Sequence, residues 1–116
     1  MGEPLVSACL IVKDEEESLA RCLASLGPLV DEVVIIDTGS TDRTPEIARG
    51  CGARVFEERW QDDFSLHRNQ ALEKATGRWL LVIDADEELF ETDLGETRER
   101  LAADGLPDIL MVSSNP

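Results

Sequence analysis

Short apolar runs rich in β-branched residues recur along this chain, separated by stretches in which apolar residues follow a helical period. Continuous apolar runs of this length are typical of buried strands. Because the runs do not alternate with polar residues, we expect both faces of the resulting sheet to be covered. The predicted strands are residues 5–12, 33–36, 54–56, 79–83 and 109–112.

Between these runs the spacing of apolar residues favours helices. The clearest case is a stripe at positions i, i+3, i+4 and i+7 formed by Leu19, Cys22, Leu23 and Leu26, which Gly and Pro at 27–28 should end. Thr44 and Pro45 are suited to the N-cap and first position of a second helix, Asp63 to the cap of a third, and Gly77 to its terminator. The predicted helices are residues 16–26, 45 to about 50–52, 64–76 and 92–103, and the second of them should carry Cys51 inward.

The alternation of strands with helices predicts an α/β fold with a mostly parallel sheet and helices on both faces. The chain has 116 residues, of which 42% are hydrophobic. This length suits one small domain, and no linker or repeat divides it. We therefore expect a single domain over residues 1–116.

The amino-acid composition argues against some classes of binding partner. The net charge is −14, from 25 acids against 11 bases, which argues against nucleic acid and anionic membrane surfaces. No apolar run approaches the ~20 residues of a membrane span, and the first residues lack the pattern of a secretory signal. We expect a cytoplasmic protein whose three cysteines, an odd number without CxxC spacing, are buried reduced thiols.

Acidic residues follow three of the predicted strands, in residues 13–15, 37–40 and 84–86. In a parallel sheet these loops project from one edge. Eight carboxylates would then share that edge, counting Glu16, Glu17 and Glu87. Like charges at close range are costly unless they are solvated or neutralised. A bound divalent cation is one explanation, and ordinary solvated turns are the other.

Individual residues of these loops carry candidate chemistry. Asp37 can accept a hydrogen bond from a base or a ribose, and Gly39 permits an unusual turn after it, although a helix-capping turn explains both equally well. Arg68 on the third helix can reach a diphosphate or simply remain solvated. His67 is the only histidine, so a zinc site is not expected.

Taken together, several motifs in order give the chain a family resemblance. The first strand ends in residues 10–15 (LIVKDE), the second in 33–42 (VVIIDTGSTD), and an Arg-Asn pair at 68–69 and Ala-Thr-Gly at 75–77 lead to Asp-Ala-Asp at 84–86. This order resembles the start of glycosyltransferase family 2 enzymes with the Rossmann-like GT-A fold. Position 38 is Thr, where the family often has a second acid.

The resemblance implies an enzyme that transfers a sugar from a nucleotide-diphosphate donor, UDP-sugar favoured, to an unknown acceptor, with inversion of the anomeric centre. It implies Mn²⁺ or Mg²⁺ held through the Asp-x-Asp motif by Asp86 and Asp84. The nucleotide-sugar-binding residues that it implies are Val12, Asp14, Glu15, Asp37, Gly39, Arg68, Asp84 and Ala85.

The resemblance covers roughly residues 5 to 90, and the family's enzymes are considerably longer than this chain. We therefore expect the chain to be the N-terminal donor-binding half of an apparently truncated GT-A enzyme. The catalytic base is expected beyond Pro116 and is not assigned.

Two other classes of protein remain as alternatives. One is a non-catalytic nucleotide-binding or interaction module that kept the fold. The other is a phosphorylatable receiver domain, which the length, acidity and residues 10–15 also suit. A receiver needs a lysine near its last strand, whereas the two lysines of this chain are Lys13 and Lys74.

Overall fold

The computed structural model describes residues 5–86 and 108–111 of the chain. Five strands and three α-helices alternate within these residues, and none of these helices is long and apolar enough to cross a membrane. The strands are β1 (Val6–Val12), β2 (Glu32–Asp37), β3 (Arg54–Glu57), β4 (Trp79–Val82) and β5 (Asp108–Met111). The helices are α1 (Leu19–Leu26), α2 (Thr44–Gly50) and α3 (Phe64–Lys74), with a 3₁₀ turn at Gly27–Leu29.

The strands form one sheet in the order β3-β2-β1-β4-β5, and every neighbouring pair is parallel. The chain steps outward from β1 to β3 and then crosses to the other side of β1 to form β4. Such a reversal leaves a crevice between the carboxyl ends of β1 and β4. Open parallel sheets bind ligands at such a position. The predicted α/β fold, with a parallel sheet and helices between its strands, is confirmed.

Helices cover both faces of the sheet, as the continuous apolar strands predict. Side chains alternate along β1, so that Leu10 and Val12 join the core beneath α1 and α2, whereas Cys9 and Ile11 pack on the side of α3 with Ala71. The cores on the two faces leave the central strand almost without exposed surface. This burial holds the strand ends, and hence the loops that follow them, in fixed relative positions.

The helix α1 begins later than the predicted residue 16. The amide of Glu15 donates to the Thr44 hydroxyl at 2.8 Å, and the amide of Glu16 donates to an Asp42 carboxylate oxygen at 3.2 Å. Because these bonds hold both residues against the next loop, the helix can begin only after them. The predicted end before residues 27–28 is confirmed.

The helix α3 begins as predicted, with the Asp63 carboxylate accepting a hydrogen bond from an amide of the first turn at 3.2 Å. It ends at Lys74, before the predicted residue 76. The Thr76 amide donates to the Glu32 carboxylate at 2.9 Å and is thereby drawn out of the helix. The prediction that Gly77 terminates this helix is therefore wrong.

The remaining boundaries differ only slightly from the predicted ones. The helix α2 starts at Thr44 itself, with Arg43 rather than Thr44 at the N-cap position. The Thr44 amide donates to the Asp42 carboxylate at 2.8 Å. The five strands agree with the predicted ones to within a residue or two at each end. The helix predicted over residues 92–103 lies outside the described residues.

Two of the three cysteines are buried free thiols as predicted, but Cys51 is exposed. The helix α2 ends at Gly50, so Cys51 lies just beyond the helix and not on its inward face. Burial raises the pKa of Cys9 to about 11, and the negative charge of Glu32 adds to this effect. Cys9 is therefore a protonated, unreactive core residue at neutral pH.

A partly buried hydrogen-bond cluster closes the amino end of the sheet, opposite the strand-end loops. Glu32 accepts bonds from the Ser7 hydroxyl (2.7 Å), the Thr76 amide (2.9 Å) and hydroxyl (3.1 Å), and the Arg54 guanidinium (3.0 Å). The Ser7 hydroxyl in turn accepts from the Gly77 amide at 2.8 Å. One carboxylate therefore joins β1, β2, β3 and the segment that leads into β4.

Replacing Gly77 by alanine is expected to lower the free energy of unfolding by about 2 kcal/mol, because a side chain overpacks this junction. A Cβ at this position would lie 2.6 Å from the Ser7 hydroxyl oxygen and 2.8 Å from the Ser7 amide nitrogen. Urea denaturation measures the loss. Gly50→Ala is the matched control, since a Cβ there meets nothing within 4 Å. Equal stabilities of the two variants would contradict the prediction.

Candidate functional site

Asp37 ends β2 with one carboxylate oxygen bound and the other unpaired. Its side chain is 2% exposed, and its Oδ1 accepts bonds from the amides of Gly39 at 3.0 Å and Ser40 at 2.8 Å. Gly39 allows this turn with a φ of +114°, which other residues rarely adopt. Oδ2 is buried and has no partner within the described part of the chain. Because an unsatisfied buried oxygen is costly, Asp37 suits a ligand that donates an N–H or O–H.

Arg68 lies near the start of α3 and presents a second unsatisfied atom. Its guanidinium lies over the Phe64 ring at 5.0 Å from the centroid, and its Nε is buried without a partner among the described residues. Arg68, Phe64 and Asp84 help to line a cavity of about 10 Å³, which has room for a single water molecule. A larger ligand would have to meet Arg68 at the open rim of the sheet.

The Asp-Ala-Asp motif follows β4 with its middle residue anchored in the core. Ala85 is 4% exposed and packs with the core residues beneath α1, while Asp84 and Asp86 are exposed on either side of it. The Cys22 thiol of α1 donates to the Asp84 carbonyl at 3.5 Å, which ties this turn to the helix. The sequence therefore fixes the backbone of the motif and leaves its carboxylates facing solvent.

The structure brings these residues to one edge of the sheet. Val12 pairs with Asp37 at the carboxyl ends of β1 and β2, and β4 lies on the other side of β1. Asp37 and Asp84 are therefore separated by one strand, or about 10 Å at the usual spacing between strands. Arg68 faces the same crevice through its contact with the Asp84 cavity.

Hydrogen bonds within the protein satisfy part of the acidic edge. Asp14 Oδ1 accepts from the Thr41 amide at 2.7 Å, and Glu16 Oε1 accepts from the Arg43 amide at 3.0 Å. These bonds join the loop after β1 to the loop after β2. Of the eight carboxylates expected there, Glu87 lies outside the described residues.

Asp42 and Thr44 are structural residues of this edge whose importance the sequence analysis missed. Partial loss of hydration raises the pKa of Asp42, but hydrogen bonds from the Thr44 hydroxyl and amide and from the Glu16 amide outweigh it, so the pKa lies below its usual value. Thr44 itself is completely buried. The Asp-x-Thr spacing is the available signal, since such pairs form local side-chain-to-backbone turns.

Trp60 and His67 form a second feature beside α3. The Trp60 ring stacks on the His67 ring at 5.1 Å between centroids, and its indole nitrogen donates to Asp62 at 2.9 Å. His67 is completely buried. Its Nδ1 lies 2.7 Å from the side-chain oxygen Oε1 of Gln70, and its Nε2 accepts from the backbone amide of Gln61. Both ring nitrogens of His67 therefore have hydrogen-bond partners within the protein.

A divalent cation would find two exposed carboxylates at this edge, those of Asp84 and Asp86. Within residues 5–86 and 108–111 no group of three or more His, Cys, Asp or Glu side chains is placed to hold a metal ion. Mg²⁺ is usually bound by one or two carboxylates together with substrate phosphates and waters. The pair therefore fits a cation that arrives with a diphosphate, and does not fit a metal site made by the protein alone.

A larger groove of about 330 Å³ lies at the opposite end of the sheet, between the ends of α1 and α2. Its lining is mostly apolar, including Leu23, Val30 and Val33. Asp31, the acid beside it, already accepts bonds from the amides of Leu5 and Val6. The groove lacks the convergent polar groups that orient a charged ligand, so the strand-end crevice is the better candidate site.

The chain belongs to glycosyl transferase family 2, whose family model matches residues 7–112. It is 55% identical over 96 residues to a TPR repeat-containing protein of Synechococcus elongatus, covering 83% of this chain and 24% of that protein. This membership supports a glycosyl-transfer role and favours a transferase over the receiver domain that the sequence analysis kept as an alternative.

Solved structures of the GT-A fold superpose on the chain. Staphylococcus aureus TarS (residues 1–349) gives a TM-score of 0.71 at 25% identity, covering 84% of this chain and 32% of that one. Glucosyl-3-phosphoglycerate synthase of Mycobacterium tuberculosis, in complex with Mn²⁺, UDP and glucosyl-3-phosphoglycerate, gives 0.62 at 25% identity, covering 73% and 36%. The chain therefore spans between about a quarter and about a third of the length of these proteins.

Proposed function

We propose that this chain binds the nucleotide-diphosphate sugar donor of an inverting glycosyltransferase, with a UDP-sugar as the favoured donor. The observation that carries the proposal is the unpaired Oδ2 of Asp37, buried beside the crevice between the central strands. A nucleobase N–H or a ribose hydroxyl would supply the missing donor. The UDP complex of the Mycobacterium tuberculosis synthase supports the choice of nucleotide.

Different residues of the site would contact different parts of the nucleotide-sugar donor. Asp37 would hold the base, with Val12 and Gly39 forming the backbone edge of that pocket. Arg68 would meet the base or the diphosphate, since its guanidinium is held in place over Phe64 and its Nε lacks a partner among the described residues. Such a division places the nucleoside on the β2 side of the crevice and the diphosphate on the β4 side.

The Asp-x-Asp turn would hold the diphosphate together with Mn²⁺ or Mg²⁺. Asp86 and Asp84 would ligate the cation, and the buried Ala85 keeps their backbone in place beside the donor. When bound, such a cation supplies Lewis-acid stabilisation of the charge on the departing nucleoside diphosphate. Carboxylates facing solvent are suited to this role, because they can exchange water for phosphate-bound metal.

We also propose that residues 1–116 are the donor-binding part of a longer catalytic domain. The chain spans 32% and 36% of the two solved glycosyltransferase structures, so acceptor contacts and the catalytic base would come from outside this segment. The base would have to lie within hydrogen-bond reach of the acceptor hydroxyl. A non-catalytic nucleotide-binding module is the remaining alternative.

Calorimetric titration with UDP in the presence and absence of Mn²⁺ tests the donor site. Wild type is expected to bind UDP more tightly with Mn²⁺, and Asp86→Ala is expected to lose most of that gain, about tenfold in affinity. Glu17→Ala is the control, since it removes one exposed carboxylate from the loop after β1. Absence of binding to UDP, GDP and dTDP by the folded wild type would contradict donor binding. Equal affinities of wild type and Asp86→Ala would contradict the metal role.

A further inference from the structure

Asp14 occupies an unusual backbone conformation in the loop after β1. Its φ is +53°, in the left-handed region that residues other than glycine enter rarely, Asn and Asp most readily. Such a conformation persists only where the surroundings hold it in place. Here the Asp14 amide donates to the Ser40 hydroxyl at 2.9 Å, and Asp14 Oδ1 accepts from the Thr41 amide at 2.7 Å. Both partners belong to the loop after β2.

These contacts lead directly to Asp37. The Ser40 amide donates to Asp37 Oδ1 at 2.8 Å while the Ser40 hydroxyl accepts from Asp14. The next residue, Thr41, is held by Asp14 through its amide and, at 3.4 Å, through its hydroxyl. Asp14 therefore holds Ser40, which completes the turn around the Asp37 carboxylate, and Thr41, which directly follows it.

The neighbouring contacts support the same connection without reaching Asp37 themselves. Glu15 and Glu16 bond to residues 42–44, further along the loop after β2. Asp14 alone contacts residues 40 and 41 among the described members of its loop. A change at Asp14 should therefore loosen the turn around Asp37 while the other contacts keep the two loops together.

We propose that Asp14 is a positioning residue of the nucleotide site: it holds the loop after β2 so that Asp37 keeps one oxygen bound and the other directed to the ligand. This proposal rests on the proposed nucleotide function. It assigns Asp14 a role different from direct contact with the donor. A positioning role needs the acceptor oxygen and tolerance of a positive φ, but it does not need the negative charge.

Three substitutions separate these requirements. Asp14→Asn keeps the acceptor oxygen and tolerates the conformation, Asp14→Gly keeps only the conformation, and Asp14→Ala keeps neither. Affinity for UDP with Mn²⁺ is measured by calorimetry, and exchange of the Gly39 and Ser40 amide hydrogens is measured by NMR without nucleotide. Thermal unfolding of each variant confirms that it is folded at the temperature used.

Asp14→Asn is expected to bind UDP like wild type, whereas Asp14→Ala and Asp14→Gly are expected to bind about tenfold more weakly. The Gly39 and Ser40 amides should exchange faster in the Ala and Gly variants and at the wild-type rate in the Asn variant. Loss of affinity by Asp14→Asn equal to that of Asp14→Ala would overturn the proposal in favour of direct contact by the charge. Unchanged exchange in Asp14→Ala would overturn it as well. If wild type binds no nucleotide, the proposed function fails, and the exchange rates alone decide whether Asp14 sets the turn.

Discussion

Replacing Asp37 by asparagine is expected to weaken UDP binding by about 100-fold without unfolding the chain. The asparagine oxygen can still accept the bonds from the Gly39 and Ser40 amides that hold Asp37 Oδ1. Its amide nitrogen, however, replaces the unpaired Oδ2 and would face the donor group of the ligand with another donor. Loss of a hydrogen bond to a charged, buried acceptor and the repulsion between two donors account for the effect. Calorimetric titration with UDP and Mn²⁺ measures it.

The charge change itself needs a separate control, because Asp37→Asn also makes the edge less negative. Glu17→Gln removes the same charge from an exposed position in the loop after β1, and it is expected to leave the affinity within about twofold of wild type, as screened surface charges contribute little. Circular dichroism melting curves show whether each variant is folded. Wild-type affinity in Asp37→Asn would mean that Oδ2 meets no ligand donor, and the proposed base contact would be abandoned.

Replacing Glu32 by alanine is expected to lower the free energy of unfolding by about 3 kcal/mol, because four hydrogen bonds to one carboxylate are lost. The Glu32 side chain is only 13% exposed, and its removal leaves the Ser7 hydroxyl and the Thr76 amide without their acceptor. Urea denaturation measures the change. Glu57→Ala is the matched control: Glu57 pairs with Arg49 at 3.1 Å but is 67% exposed, so about 0.5 kcal/mol is expected. Comparable losses in the two variants would contradict the prediction.

The same carboxylate should make stability depend on pH. Burial raises the pKa of Glu32, but the hydrogen bonds from Thr76, Ser7 and Arg54 outweigh it, so the pKa lies below the ordinary value of 4.5. Its stabilising contribution is therefore complete above pH 4.5 and is lost as the pH falls through the lowered pKa. The difference in unfolding free energy between wild type and Glu32→Gln should narrow below pH 4.5. A difference that stays constant down to pH 3 would contradict this expectation.

Most of the fold could be predicted from the sequence because each element carries a strong local signal. Short apolar runs rich in β-branched residues, such as residues 33–36 and 79–83, are typical of strands that are buried on both faces of a sheet. The cap at Asp63 also follows from side-chain chemistry alone. The rule that successive strands lie side by side accounts for three of the four connections in the sheet. The crossover from β3 to β4, on the other side of β1, does not follow from that rule.

What could not be predicted depends on contacts between loops distant in sequence. The late start of α1 results from bonds to Asp42 and Thr44, and the early end of α3 results from a bond to Glu32. Local propensity contains no information about such partners. The exposure of Cys51 likewise follows from where α2 ends, which shifts by a residue or two without any change in apolar spacing.

The candidate site also has features that the sequence predicts and features that it does not. Strand-end position alone predicts that Asp37 and the 84–86 motif approach one another, and the structure places them at one edge. Arg68 lies on α3 and lines a cavity together with Asp84, which strand-end position does not predict. Two features of the site could not be predicted from the sequence. One is that Asp37 Oδ2 has no partner among the described residues, and the other is that Asp14 accepts a hydrogen bond from the Thr41 amide. Both depend on the detailed path of the loop after β2. The roles of the site residues toward a nucleotide stay predictions until the titrations are made.

The central place of β1 has a consequence for how the chain is made. Although β1 precedes the other strands of this sheet along the chain, it pairs on one side with β2 and on the other with β4, where Ser7 lies opposite Leu80. A ribosome must therefore continue from β1 to the end of β4 at Val82 before both edges of β1 can be covered. Such long-range parallel pairing slows folding and leaves an uncovered apolar edge for that time. The nascent chain is accordingly expected to need protection by chaperones until β4 has emerged.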